Sequence, residues 1–192
     1  MIKAIHQLSN KVNEGYFIAK QIVKVNTLNF REKIQFKSVI EKSRRLQAMS
    51  YLICNCEVNS NNKKLLKLRT TLIKKNKNVN KENYYDLKKD CVYHNNKTFF
   101  RVITKNEVER FCDLSGDHNY IHKGDKPVVQ AMLILLLLED YLALINRYMY
   151  NCEITYIMPV IAGSDIFLYW QDSENLFGIT DNKICFKLNF IG

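Results

Sequence analysis

Residues 111 to 122 read FCDLSGDHNYIH, which sets Asp113, Asp117, His118, Asn119 and His122 around one glycine, Gly116. Carboxylates and imidazoles move protons and bind metals, so such density admits three readings: a catalytic site, a metal site, or a polar turn at the mouth of a helix. The turn reading needs only Asp117 and Asn119, because Asp and Asn side chains readily bond nearby backbone, and a lone Gly-Asp would justify nothing more. A metal reading would use His118 and His122, four residues apart, with Asp113 and Asp117 beside them. It is disfavoured because there is no HExxH, and Ile121 stands where a calcium loop requires an oxygen. No metal is expected.

The flanking elements favour a functional loop. Ahead of it, FFRVI reads as a short strand and KNEVERFCDL as a helix with Val108 and Phe111 three apart. Behind it, Pro127 suits a first helical position, opening an apolar helix that contains AMLILLLL (131 to 138) and continues towards Ile145. Glu139 and Asp140 interrupt that run far short of the ~20 residues that span a bilayer. It is therefore a core helix, and one apolar on all sides must be wrapped by something such as a sheet. Strand-like runs follow (CEITYIMPVI, SDIFLYW, LFGIT, KICFKLNF), with Gly163, QDSEN and TDNK as breaks. In the first half, residues 2 to 18 suit a short helix stopped by Gly15. FIAKQIVKV, EKIQFKSVI, RLQAMSYLICNCEV and KLLKLRTTLIKK then read as a four-stranded antiparallel meander, with NSNNKK as a hairpin turn. Residues 76 to 97 are polar, aperiodic and linker-like.

A long helix enclosed by antiparallel sheet is the hot dog arrangement, an α+β fold, and the motif sharpens that suggestion. FCDLSGDHNYIH closely resembles the hydratase signature of the MaoC-like family, the (R)-specific enoyl-CoA hydratases and dehydratases. Phe111, Ser115, Gly116, Asp117, Asn119, Ile121 and His122 stand at matching positions. Pro159, Val160 and Gly163 resemble the family's later turn, with one extra residue, Ser164, before Asp165. The resemblance implies a hydratase or dehydratase, a lyase of fatty acid metabolism, acting on an enoyl thioester of CoA or acyl carrier protein without a further cofactor. It makes Asp117 and His122 the catalytic pair, holding between them the water that adds across the C=C bond. Ser115, Gly116, Asn119, Gln130 and Ala131 become substrate-binding positions. Relatives have His-Gly where Gln130 and Ala131 stand, and use the glycine N–H at the helix start to stabilise charge on the thioester oxygen. Ala131 keeps that N–H and adds a methyl. Tyr120 replaces a proline, and the KGDKP link to the helix is shorter than in active relatives, so a catalytically silent acyl-CoA-binding or interaction protein is the alternative.

Clear resemblance covers residues 98 to 192. Residues 1 to 97 are expected to form either a degenerate first repeat of a double hot dog or a basic N-terminal extension of a single one. Because hot dog sheets pair edge to edge, either version implies a two-sheet assembly, and a homodimer as partner. The first half carries 21 Lys/Arg against 7 Asp/Glu and the second 8 against 12, an asymmetry that suits the phosphates of CoA or an acidic carrier protein. The competing explanation is that Lys63, Lys64, Lys67, Lys74, Lys75, Lys77, Lys88 and Lys89 solvate edge strands and a linker. Recognition of a specific nucleic-acid sequence is not expected, since no known DNA- or RNA-binding signature is present. The N-terminus lacks a secretory pattern and six scattered cysteines form no framework, so free buried thiols, a cytoplasmic location and no membrane insertion are expected.

Overall fold

The computed structural model describes residues 12, 15–27, 33–61, 63–76 and 96–191. Its strands are β1 (Phe17–Val25), β2 (Ile34–Arg45), β3 (Met49–Ser60), β4 (Lys63–Lys75), β5 (Thr98–Val102), β6 (Asn151–Tyr156), β7 (Asp165–Trp170), β8 (Asn175–Thr180) and β9 (Lys183–Phe190). Two α-helices, α1 (Lys105–Ser115) and α2 (Ala131–Leu144), and a 3₁₀ turn at Tyr120–His122 lie between β5 and β6.

Strand β3 shows why this sequence makes sheet. Ser50, Leu52, Cys54, Cys56, Val58 and Ser60 are all buried and the residues between them are not, the period of two of a strand with one covered face. The β3–β4 hairpin closes at the pair Ser60↔Lys63, with Asn61 in the left-handed region at φ 46° as a tight turn requires. The first-half strands are not a simple meander: β2, β3 and β4 follow one another, but β1 pairs with β4 rather than β2. On its other side β1 pairs antiparallel with β6, from Lys20↔Thr155 to Lys24↔Asn151. The result is one nine-stranded sheet in the order β2-β3-β4-β1-β6-β9-β8-β7-β5. Both halves thus build a single sheet, each contributing a contiguous block, and the blocks meet edge to edge at β1 and β6.

One apolar core serves both blocks. Leu133, Leu135, Leu138 and Leu142 of α2 belong to the same buried cluster as Val23, Leu52, Cys54 and Leu68 of the first half and Ile154, Phe186 and Leu188 of the second. Full enclosure of α2 is not reached at its C-terminal end, where Glu139 and Asp140 are exposed and Leu144 is 84% exposed. Opposite Phe186, whose ring is fully buried, β8 carries Gly178. A Cβ there would lie 2.0 Å from the ring's Cζ.

Several sequence expectations shift. Phe17 and Ile18 are in β1 rather than a helix, and most of residues 2 to 16 lies outside the described residues, although Gly15 does adopt φ 86°. Pro127 does not open the helix. Val128 bridges to Ile161 and Val129 donates to the Val160 carbonyl, so the β-branched pair runs extended and α2 begins at Ala131. The proposed linker, apart from Asn76, Asn96 and Lys97, lies outside the described residues, as do Lys77, Lys88 and Lys89. The five remaining lysines of that group are all on β4, which is an interior strand and not an edge. Cys54, Cys56, Cys112, Cys152 and Cys185 are buried free thiols. Burial pushes Cys54 to about 11 and Cys152 to about 12, so neither is a nucleophile near neutral pH.

Candidate functional site

The site loop is set by how α1 starts and stops. Thr104 and Glu107 form a reciprocal capping box at its N-terminus, and Gly116 ends it at φ 69°, bonding back to the Cys112 carbonyl. Ser115 works inside that ending: its Oγ donates to the Phe111 carbonyl at 2.6 Å and accepts from the Asp117 N–H at 3.3 Å. Asp117 Oδ1 then accepts the Asn119 N–H at 3.3 Å, an Asx turn that leaves Oδ2 free to face the 3₁₀ segment. Asn119 is tied to the other half of the chain, its Nδ2 donating to the Tyr16 carbonyl at 3.0 Å. Its Oδ1 is buried without a partner among the described residues.

His122 sits 2.6 Å through Nδ1 from the Val128 carbonyl and 3.4 Å through Nε2 from Asp117 Oδ2. A carbonyl can only accept, so Nδ1 carries a proton, and when the ring holds only that one a bare Nε2 faces a carboxylate oxygen. Two acceptors at that distance are reconciled by a molecule with two hydrogens to give, such as water, or by a proton on Nε2 itself. The His122 side chain is 6% exposed and that of Asp117 44%, so the pair is approached from the carboxylate side.

Burial pushes the Asp117 carboxyl up, but the hydrogen bond and charge that His122 offers when Nε2 is protonated, the Asn119 N–H and the His118 charge outweigh it and hold the group below its ordinary value. A depressed folded pKa stabilises the protein above the unfolded value of ~3.9, and that contribution disappears as pH falls through the folded one. Thermal melts of wild type and Asp117→Asn should therefore differ most near neutrality and converge as pH falls through the lowered folded value. A gap that widens on acidification would contradict the pairing.

The start of α2 completes the site. Gln130 is its N-cap residue but makes no capping bond: Nε2 donates instead to the Val108 carbonyl and to Cys112 Sγ, each at 3.0 Å. The side chain is 1% exposed and Oε1 has no partner among the described residues. Gln130 thus locks α2 against α1 rather than presenting its amide to solvent. Among the described residues no acceptor meets the N–H groups of Ala131, Met132 and Leu133, leaving an uncapped, largely buried helix start.

The structure thus brings Asp117 and His122 together and puts Ser115, Gly116 and Asn119 to work in the loop that presents them. Sequence reasoning missed Val128 and Tyr16, which act through backbone carbonyls and so leave no side-chain signal. Among the described residues no cluster of three His, Cys, Asp or Glu is placed to hold a metal, and no helix is long and apolar enough to cross a membrane.

No family model and no curated protein matches the sequence. Solved structures do match in fold. HtdX from Mycobacterium tuberculosis aligns over 99% of this chain and 84% of its own length, with a TM-score of 0.71 at 12% identity. A MaoC-like dehydratase aligns over 98% and 81%, with a TM-score of 0.66 at 11% identity. The peroxisomal multifunctional enzyme type 2 of Drosophila melanogaster aligns over 99% of this chain and 40% of its own, with a TM-score of 0.62 at 12% identity.

Proposed function

We propose, starting from a hot dog fold shared with MaoC-like dehydratases, that the chain is a hydratase or dehydratase of acyl thioesters of CoA or acyl carrier protein. The observation that carries the reading is the Asp117–His122 pair with its Nδ1 proton committed to Val128. In hydration, a water lying between Nε2 and Oδ2 gives one proton to Nε2 as its oxygen adds to the β-carbon. The thioester becomes an enolate whose oxygen is met by the free N–H groups at the start of α2. The imidazolium, steadied by the Asp117 carboxylate, returns the proton to the α-carbon. Dehydration is the same sequence reversed, and neither direction consumes a cofactor. Purified protein should hydrate crotonyl-CoA, read as loss of enoyl absorbance. Absence of hydration together with absence of acyl-CoA binding would reject the proposal.

A second reading, a silent acyl-thioester binder, draws on Ala131, whose methyl stands at the helix start beside the free N–H groups, and on Gln130, whose amide is turned away. It predicts that acyl-CoA raises the melting temperature without being converted. In both readings residues 98–192 form the domain that carries the motif. Residues 1–97 are proposed as a degenerate hot dog block whose strand β1 supplies, within one chain, an edge-to-edge junction of the kind hot dog sheets form. A homodimer through the edge strands β2 and β5 and a cytoplasmic location belong to the same proposal.

Among the basic residues of the first half, Lys74 is linked to the site through Tyr16: its Nζ lies 5.5 Å from the centroid of the Tyr16 ring, and the Tyr16 carbonyl holds Asn119. Acyl-CoA affinity should fall several-fold between low salt and about 0.5 M as the phosphates are screened from such cations. Unchanged affinity across that titration would reduce the lysines of the first half to a solvating role.

A further inference from the structure

Gln21 is a polar side chain on the inner face of a central strand, fully buried beside the apolar core. It faces Ile154 across the β1–β6 join, and Tyr156, two residues farther along β6, is its diagonal neighbour on the same face. The Tyr156 hydroxyl lies 2.9 Å from Gln21 Oε1 and 2.7 Å from the Ala131 carbonyl, while Gln21 Nε2 lies 2.8 Å from Met132 Sδ. Two strands thus send one side chain each to the first two residues of α2.

The chemistry of this contact has a direction. A phenol has one hydrogen for the two oxygens near it. It gives that hydrogen to the Ala131 carbonyl or to Gln21 Oε1, while Gln21 Nε2 donates to Met132 Sδ, so the two side chains meet each other and each reaches the start of α2. Burial and the Cys152 sulfur push the Tyr156 phenol well above its ordinary value, so it remains a donor. A leucine and a phenylalanine at these positions would be buried without any such requirement, so keeping a matched polar pair calls for a reason beyond filling space.

The place of contact supplies one. The turn gripped at Ala131 and Met132 is the turn whose N–H groups have no acceptor among the described residues. A free helix start could relieve those groups by rotating or tightening into a 3₁₀ turn. Donors that must meet developing charge work only if they are already aimed, and a displacement of ~1 Å can cost on the order of a hundredfold in rate.

We infer that Gln21 and Tyr156 are positioning residues, which hold the first turn of α2 so that its free N–H groups point at the thioester oxygen of the ligand. The inference rests on the acyl-thioester reading above and adds to it a residue from the first half of the chain. Neither side chain touches the reacting atoms, so each acts through the helix backbone.

The test uses the full chain and crotonyl-CoA labelled with ¹³C at the thioester carbonyl, whose stretching frequency reports polarisation by donors. Bound to wild type, the band should move to lower frequency. In Tyr156→Phe and in Gln21→Met, at least about half of that displacement should vanish, with kcat down roughly tenfold and KM within roughly threefold. A merely space-filling or stabilising role would lower the melting temperature and leave the band and the kcat/KM split as in wild type. Full displacement and wild-type kcat in either folded variant overturns the inference alone. Failure of the wild type to bind the labelled thioester overturns the acyl-thioester reading, and the inference with it. Should the wild type bind without turnover, the band still decides.

Discussion

Replacing Asp117 by Asn, or His122 by Ala, should lower hydration of crotonyl-CoA by roughly 10²–10⁴-fold in kcat, with binding largely retained, the loss expected for removing a positioned acid or base. The two changes should fail differently. The asparagine of Asp117→Asn keeps the shape and can still accept the Asn119 N–H, but it offers Nε2 an uncharged amide in place of the carboxylate that steadies the imidazolium. The alanine of His122→Ala removes the proton carrier outright and frees the Val128 carbonyl, so it should also loosen the extended segment leading into α2. The double variant should be hardly slower than the worse single one, because groups that handle one proton together do not add. Rates that multiply would mean two independent roles, and hydration that survives both losses would sink the mechanism.

The legibility of this site in the sequence follows from how each part is held. Asp117 and His122 are legible because they fall at matching positions of a motif that resembles the MaoC-like hydratase signature, whereas spacing alone leaves a turn and a metal site open. Ser115 and Gly116 were readable as positions in that motif, but their work in the structure is to end α1, a backbone task that Gly116 shows through its left-handed φ of 69°. Val128 and Tyr16 contribute carbonyls, and a carbonyl is the same whatever residue bears it. The strand character of the first half was plain from alternation, most cleanly along β3. Its topology was not, because alternation fixes which face a strand buries but says nothing about which neighbour it pairs with. The swap that puts β1 between β4 and β6 is therefore the point at which reading by pattern failed, and it is also what brings Gln21 and Tyr16 to the site. Pro127 misled for a related reason: proline suits a first helical turn but equally an extended entry, and the paired Val128 and Val129 decided for the latter.

Gly178→Ala should be among the most damaging single-methyl changes available in the chain. Gly178 pairs directly with Phe186 across β8 and β9, and the Phe186 ring lies over the glycine, filling the space a side chain would take. A Cβ at position 178 would meet Cζ, Cε1 and Cε2 of that ring at 2.0, 2.2 and 2.4 Å, distances at which one group must move. The ring has no easy retreat, because Phe186 is fully buried in the core shared with Leu188, Leu168 and α2. Overpacking of this kind costs about 3 kcal/mol when the surroundings cannot yield, which in a chain of 192 residues would take a large part of the whole stability. An aromatic ring covering a strand glycine also replaces the side-chain contact that the glycine lacks, so the two residues act as one unit. The double variant Gly178→Ala with Phe186→Leu should consequently be less destabilised than the sum of its parts, by more than about 1 kcal/mol of coupling in denaturant titrations. Additive losses would show that the ring moves aside freely. Because Phe186 pairs with Tyr156 across β6 and β9, the single Gly178→Ala change should also disturb the grip on α2, lowering kcat in whatever fraction still folds.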